Sequence, residues 1–225
     1  MSPFDFRTPK TNDELIDIVA NRRRYLGIER FDDTVIDVMR SADRAAFVPA
    51  AGPDIYDDSP VPIAGHQTCS QPSMVAAMAT LLDLKPGLKV LEIGAGCGYS
   101  AAVAAQLISP GGNLFSIEID PDLALEAENN LSRLGLSGNT RVIAGDGSAG
   151  LPGEAPFDRI YLTAGAGRWF DEMILVNQLS QNGILLYPEA HGSMFLVSKS
   201  KRGLERRVMD GVSFVFLKGV NSGYR

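Results

Sequence analysis

Residues 89–100 read Lys-Val-Leu-Glu-Ile-Gly-Ala-Gly-Cys-Gly-Tyr-Ser, and the fold turns on them. Val90, Leu91 and Ile93 form a short apolar run suited to a buried strand. Gly94, Gly96 and Gly98 then turn the chain ahead of an apolar helix, Ala101 to Ile108. Strand, glycine loop and helix in that order make the arrangement that holds a nucleotide-type cofactor. Glycine enters left-handed conformations freely and lets the backbone approach a ligand. The helix that follows offers unpaired N–H groups and a positive dipole end.

Two further residues bear on which cofactor. A dinucleotide fingerprint places its third glycine at position 99, where the helix must pack closely on the strand, and this chain has Tyr99 there. NAD is therefore disfavoured. Glu92 before the loop and Glu118 at the end of the next strand stand as in S-adenosylmethionine sites, with Glu118 able to accept from both ribose hydroxyls. Asp146 lies in Gly-Asp-Gly-Ser after the strand Arg141 to Ala144, at the sheet edge where open α/β folds keep their ligands. Its carboxylate suits the exocyclic amine of adenine, with the Gly147 N–H facing a ring nitrogen; the bland alternative is a turn aspartate between glycines.

Working outward, 225 residues suit a single domain with a sizeable core. We divide it into an N-terminal helical and substrate-loop part (1–86), a cofactor-binding core (87–190) and C-terminal strands (191–225). A net charge of −6 argues against a nucleic-acid partner, which needs clustered cations, and the Arg22 to Arg24 run reads as a solvated helix face. Cys69 and Cys97 are the only cysteines and have no neighbours at metal-ligand spacing, so neither a disulfide framework nor a metal site is implied, and a reducing cytoplasm is expected. Charged residues from Asp5 to Asp17 exclude a signal-peptide core, and no apolar run reaches the ~18 residues of a membrane span.

The remaining elements alternate. Helices are expected over Asn12 to Leu26, with Leu15, Ile18, Val19 and Arg22 on one face, and over Asp33 to Arg40, followed by irregular chain from Phe47 to Pro62. A helix begins near Gln71, with Ser70 as its cap and Pro72 in its first turn. Strands at Leu114 to Ile119, Arg141 to Ala144, Asp158 to Thr163 and Ile184 to Tyr187, interleaved with helices at Pro121 to Leu134 and Trp169 to Leu179, predict a parallel sheet covered on both faces. Met194 to Ser198 and Val212 to Leu217 read as strands completing the sheet edge. Trp169 reads as a core residue or a lid over the site.

Taken together, GHQTCSQPSMVAAM, VLEIGAGCGYSAAVAA, GDGSAGLPGEAPFDRIYLTA and VSFVFLKG, in this order, resemble the protein-L-isoaspartate O-methyltransferases from about Arg22 to Gly219. The resemblance implies a doubly wound, Rossmann-like α/β methyltransferase fold with extra N-terminal helices and modified C-terminal strands. It implies methyl transfer from S-adenosylmethionine to the free carboxylate of L-isoaspartyl residues in damaged proteins, leaving S-adenosylhomocysteine. Ser70 then matches the active-site serine, Thr68 and Cys69 flank the substrate carboxylate, Glu118 with Ile119 holds the ribose, and Asp146 with Gly147 the adenine; Gly94, Gly96, Gly98, Tyr99 and Glu92 complete the cofactor side. Departures lie on the substrate side: Cys69 replaces isoleucine or valine, His66 a small residue, Gly165 an alanine, Glu189-Ala190 a Val-Gly pair, and Phe216, a proposed wall of the acceptor site, a proline. Alternative readings are a paralogue acting on another carboxylate, such as unmodified aspartate, or a cofactor-binding protein without catalysis.

Candidate catalysts are few, His66 and His191 being the only histidines and Cys69 and Cys97 the only thiols, and the chemistry needs few. A carboxylate with a pKa near 4 is already ionised at neutral pH and needs no general base. Holding its oxygen in line with a reactive methyl, about 3 Å away, supplies most of the acceleration. Ser70 orients the acceptor and is not a nucleophile, since no His–Asp partnership surrounds it.

Overall fold

The computed structural model describes residues 9–22, 24–48 and 52–224. Two helices open the chain, α1 (Asn12–Ala20) and α2 (Asp33–Ser41), then a two-residue strand pair, β1 (Val61–Pro62) and β2 (Thr68–Cys69), and α3 (Pro72–Leu81). The alternating part runs β3 (Lys89–Ile93), α4 (Tyr99–Leu107), β4 (Asn113–Glu118), α5 (Pro121–Arg133), β5 (Thr140–Ala144) and β6 (Phe157–Leu162). A short helix, α6 (Met173–Val176), precedes three long strands, β7 (Leu179–Pro188), β8 (His191–Ser200) and β9 (Gly203–Ser213).

The seven-stranded sheet has the order β5-β4-β3-β6-β7-β8-β9. β5 through β7 are parallel, and β8 and β9 add antiparallel at the end. From β3 the chain steps one way to β4 and β5, then returns past β3 to β6. The order therefore reverses at β3, opening a crevice at the carboxyl ends of the strands, where such sheets bind ligands.

The expected strand–helix plan is the observed one, and the differences have local causes. The first helix stops at Ala20, because Asn21 Nδ2 donates back to the Asp17 carbonyl at 2.7 Å and Tyr25 to Ile28 form a tight turn. Leu26 and Gly27 both have positive φ there, as a two-residue reverse turn requires. Ile16, not Ile18, joins Leu15 and Val19 on the buried face. Arg22 lies beyond the helix and pairs with Asp58, so the basic run is no solvated helix face; Arg23 lies outside the described residues. Within the stretch expected to be irregular, Gly52–Tyr56 forms a 3-10 turn and Val61–Pro62 a short strand, and 49–51 lie outside the described residues.

The helix expected over Trp169 to Leu179 shrinks to α6. The N–H groups of Gly167 and Trp169 donate to the carbonyls of Ser222 and Gly223, so this backbone straps the C-terminal segment down and cannot coil. Trp169 is 59% exposed, which removes the core reading. β9 ends at Ser213, short of Leu217; beyond it Phe216 makes a single bridge with Gly165.

Packing follows the pleat. Along β3, Val90 belongs to one buried cluster with the N-terminal helices and α4, while Leu91 and Ile93 belong to another with Phe157, Ile160, Leu162 and Leu175. Both sheet faces are thus covered, which is why the central strands read as nearly continuous apolar runs.

Candidate active site

The crevice is a cleft enclosing about 720 Å³ of space between atoms, part of it open to solvent. Its floor is the glycine loop, Gly94 to Cys97, and its sides come from Glu118, Ile119 and Gly147, from Gln67 to Ser70, and from Val215 to Lys218. The loop owes its shape to glycine. Gly94 has φ +102°, and a Cβ there would sit 2.3 Å from Thr163 Oγ1. The Gly94 N–H donates to Ile117 O at 2.8 Å, and Thr163 Oγ1 donates to the Gly94 carbonyl. A Cβ on Gly147 would meet Ile93 Cγ2 at 2.9 Å, so this wall also stays flat only as glycine.

Glu118 is 5% exposed and stands over the loop. Its Oε2 accepts from the Gly96 N–H at 2.8 Å, and its Oε1 accepts from the Asp120 N–H at 3.1 Å. Each oxygen keeps further lone-pair capacity for a hydroxyl. A buried carboxylate at the carboxyl edge of β4, facing a glycine cradle, supplies the two acceptor oxygens that the paired hydroxyls of a ribose require. The residues present therefore fit S-adenosylmethionine.

Across the cleft, Thr68, Cys69 and Ser70 precede α3. Ser70 Oγ has no hydrogen-bond partner among the described residues, and the helix cap is elsewhere: Gln71 occupies the cap position without a side-chain bond, and Asp58 Oδ1 accepts from the Ser73 N–H at 2.8 Å. Ser70 is therefore not the cap that its place in the sequence suggested. Thr68 and Ser70 also line an adjoining cleft with Pro60, Gln71, Met74, Thr163, Ser213, Phe214 and Val215, so Ser70 borders both spaces. Phe216, 55% exposed, stands at the rim with its ring edge-on to His191 and Tyr224.

Four expected cofactor residues are disposed differently. Gly98 stands off the cleft lining: at φ +89° it turns the loop into α4, and a Cβ there would meet Ala127 Cα of α5 at 3.2 Å. Glu92 is fully buried outside the cleft lining, because the two-residue period of β3 puts it on the Val90 face. There it accepts from Tyr161 Oη at 2.8 Å and from Ser116 Oγ, and burial pushes its carboxyl up to about 7. Asp146 also stands off the lining, with Oδ1 accepting from the Ser148 N–H and Oδ2 from the Val220 N–H, both at 2.8 Å. Burial alone would raise its carboxyl, but the Val220 N–H, then the Ser148 hydroxyl and N–H, together outweigh it and hold the group below its ordinary value. Tyr99 reaches the cleft but packs its ring edge-on against Phe47 at 5.4 Å. Conversely, Thr163 and Lys218 line the cleft without having been singled out. Thr163 follows β6 at the same sheet edge as Asp146, so the logic that found one could have found the other; Lys218 carries no such signal.

Cys69 and Cys97 face each other from β2 and the glycine loop. The neighbouring Cys97 thiol, then the Arg44 guanidinium, favour the Cys69 thiolate against burial, and Cys97 is correspondingly pushed up.

A doubly wound sheet with a glycine loop after its first long strand, and a buried acid at the end of the next, defines the class of S-adenosylmethionine-dependent methyltransferases. A solved structure titled protein-L-isoaspartate O-methyltransferase superposes with a TM-score of 0.80 at 26% identity, covering 94% of this chain and 67% of that one. A Plasmodium falciparum structure, described as a putative member of the same family in complex with S-adenosyl-L-homocysteine, gives 0.79 at 26% identity, covering 93% and 99%. Among sequence relatives named protein-L-isoaspartate O-methyltransferase, the protein of Methanopyrus kandleri is 43% identical over 89% of this chain and 90% of its own length. That of Methylorubrum populi is 45% identical over 85% and 90%. Residues 10–222 match the family described as Protein-L-isoaspartate(D-aspartate) O-methyltransferase, and the chain belongs to it.

Proposed function

We propose that this chain methylates the free α-carboxylate of L-isoaspartyl residues in peptides and proteins, with Ser70 as the acceptor-orienting residue. The observation that carries the assignment is the Ser70 hydroxyl, unspent in the fold and set between a cofactor cleft and an adjoining one. S-adenosylmethionine supplies an electrophilic methyl group on a sulfonium. Glu118 and the loop Gly94 to Cys97 bind it, with Gly98 turning that loop into α4; Gly147 and Ile119 flank its adenosine side, with Asp146 acting through the Gly147 turn. The Ser70 hydroxyl donates to the acceptor carboxylate, and Thr68, Cys69 and Phe216 wall the acceptor. Neither His66 nor His191 lines the cleft, in keeping with an acceptor that arrives already ionised.

The three sequence parts, 1–86, 87–190 and 191–225, act as one domain in this reading, since the acceptor wall, the cofactor loop and the rim come one from each. Among the described residues no helix is long and apolar enough to cross a membrane.

The test is methyl incorporation into paired peptides differing only in isoaspartate or aspartate at one position. We expect a base-labile ester on the isoaspartyl peptide and little on its twin, because a misplacement of ~1 Å costs on the order of a hundredfold in rate. Equal or better methylation of the aspartyl peptide would favour a paralogue with another acceptor. A base-stable product would exclude both readings.

A further inference from the structure

The turn that carries Ser70 is held from two sides by charged side chains of the preceding segment. Arg44 is completely buried; its two Nη atoms donate to main-chain carbonyls, and its Nε is left without a partner among the described residues. Nη1 donates to Ile55 O at 3.0 Å and Asp57 O at 2.9 Å; Nη2 donates to Ser59 O at 2.8 Å, Ser70 O at 3.2 Å and Cys69 O at 3.3 Å. One planar fork thereby ties segment 55–59 to the acceptor strand, which a single ammonium could not span.

Asp58, within that same segment, grips the other end. Oδ1 accepts from the Ser73 N–H at 2.8 Å, Oδ2 accepts from Ser73 Oγ at 2.6 Å, and the Asp58 carbonyl accepts from Gln71 Nε2 at 2.8 Å. Ser73 is the second residue of α3, so its N–H is one that a cap normally satisfies. Capping from outside relieves the local serine of that duty.

We propose that Arg44 and Asp58 are positioning residues for methyl transfer, fixing the Cys69–Gln71 turn so that the Ser70 hydroxyl is presented to the acceptor. This rests on the assignment of Ser70 to the acceptor. Because both act through Ser70, their effect must disappear when the hydroxyl is absent.

The experiment compares Arg44→Lys and Asp58→Ala, each alone and combined with Ser70→Ala, on an isoaspartyl peptide below each variant's measured unfolding midpoint. S-adenosylhomocysteine affinity is read in parallel. Each single variant is expected to lower kcat about tenfold, as for one misdirected hydrogen bond to a charged group. Cofactor affinity should stay within about twofold, and in the Ser70→Ala background the further loss in kcat should also stay under about twofold. A purely structural role would lower the unfolding midpoint and leave kcat unchanged, or lower it by the same factor in both backgrounds; either result overturns the proposal. Should Arg44→Lys not fold, Asp58→Ala carries the same comparison. Wild-type kcat in Ser70→Ala alone would overturn the assignment of Ser70 itself, a failure distinct from additivity.

Discussion

Glu118 Oε2 lies 2.8 Å from the main-chain nitrogen of Gly96, so the acid assigned to the ribose also fastens the loop beneath it. Replacing Glu118 by Ala removes both functions at once. We expect S-adenosylhomocysteine affinity, measured by calorimetry, to fall on the order of 10- to 100-fold, the range for lost hydrogen bonds to a charged group. Unchanged affinity would refute the assignment.

Asp146→Ala should weaken the cofactor less than Glu118→Ala, since the carboxylate stands outside the cleft lining and its two oxygens hold Ser148 and Val220. The accompanying signature is faster amide exchange at Val220, whose N–H loses its acceptor. A cofactor loss equal to that of Glu118→Ala would show that Asp146 binds the ligand directly.

Ser70→Ala is expected to lower turnover about tenfold, with cofactor affinity and stability close to wild type. A cap serine would cost about 1 kcal/mol on replacement. Here Asp58 meets that need, so chemical denaturation should show a difference well under that figure.

Burial places the Glu92 carboxyl at about 7, against an ordinary 4.5. A folded-state pKa raised in this way contributes stability that is full below about 4.5 and is lost as the pH climbs to about 7. Glu92→Gln removes this titration. Unfolding free energies of the two proteins should therefore diverge with rising pH between those values, the variant gaining on the order of 3 kcal/mol relative to wild type. Parallel pH profiles would show that the fold leaves the Glu92 carboxyl at its ordinary value.

Motif and periodicity reach as far as the interactions they encode. Strand, glycine loop and Glu118 are set by local chain geometry and a repeating sheet edge, and their places could be read from residues 89–118 alone. Arg44 could not, because its partners are carbonyls 11 to 26 residues distant and main-chain atoms leave no trace in side-chain identity; Asp58 could not, because the Arg22, Gln71 and Ser73 it meets lie 13 to 36 residues away at no spacing that any periodicity encodes. Ser70 looked like a cap for the same reason. The segment after Gly167 failed as a helix because its hydrogen bonds go to the far end of the chain. Glu92 was placed beside the cofactor by adjacency, whereas the pleat sends alternate side chains to opposite faces.

β9 is the last strand of the sheet, eleven residues long, and Glu205, Arg206, Arg207 and Asp210 stand among its exposed positions beside Leu204 and Val208. An edge of that length is an open template for any extended peptide that drifts past, and charged side chains are the usual deterrent. The proposed activity acts on isoaspartyl residues within polypeptides, so its own reaction brings stretches of main chain close to this edge. A like-for-apolar replacement along that edge, such as Arg207→Val, should therefore leave catalysis on short peptides intact while making the protein co-aggregate with the damaged chains it serves.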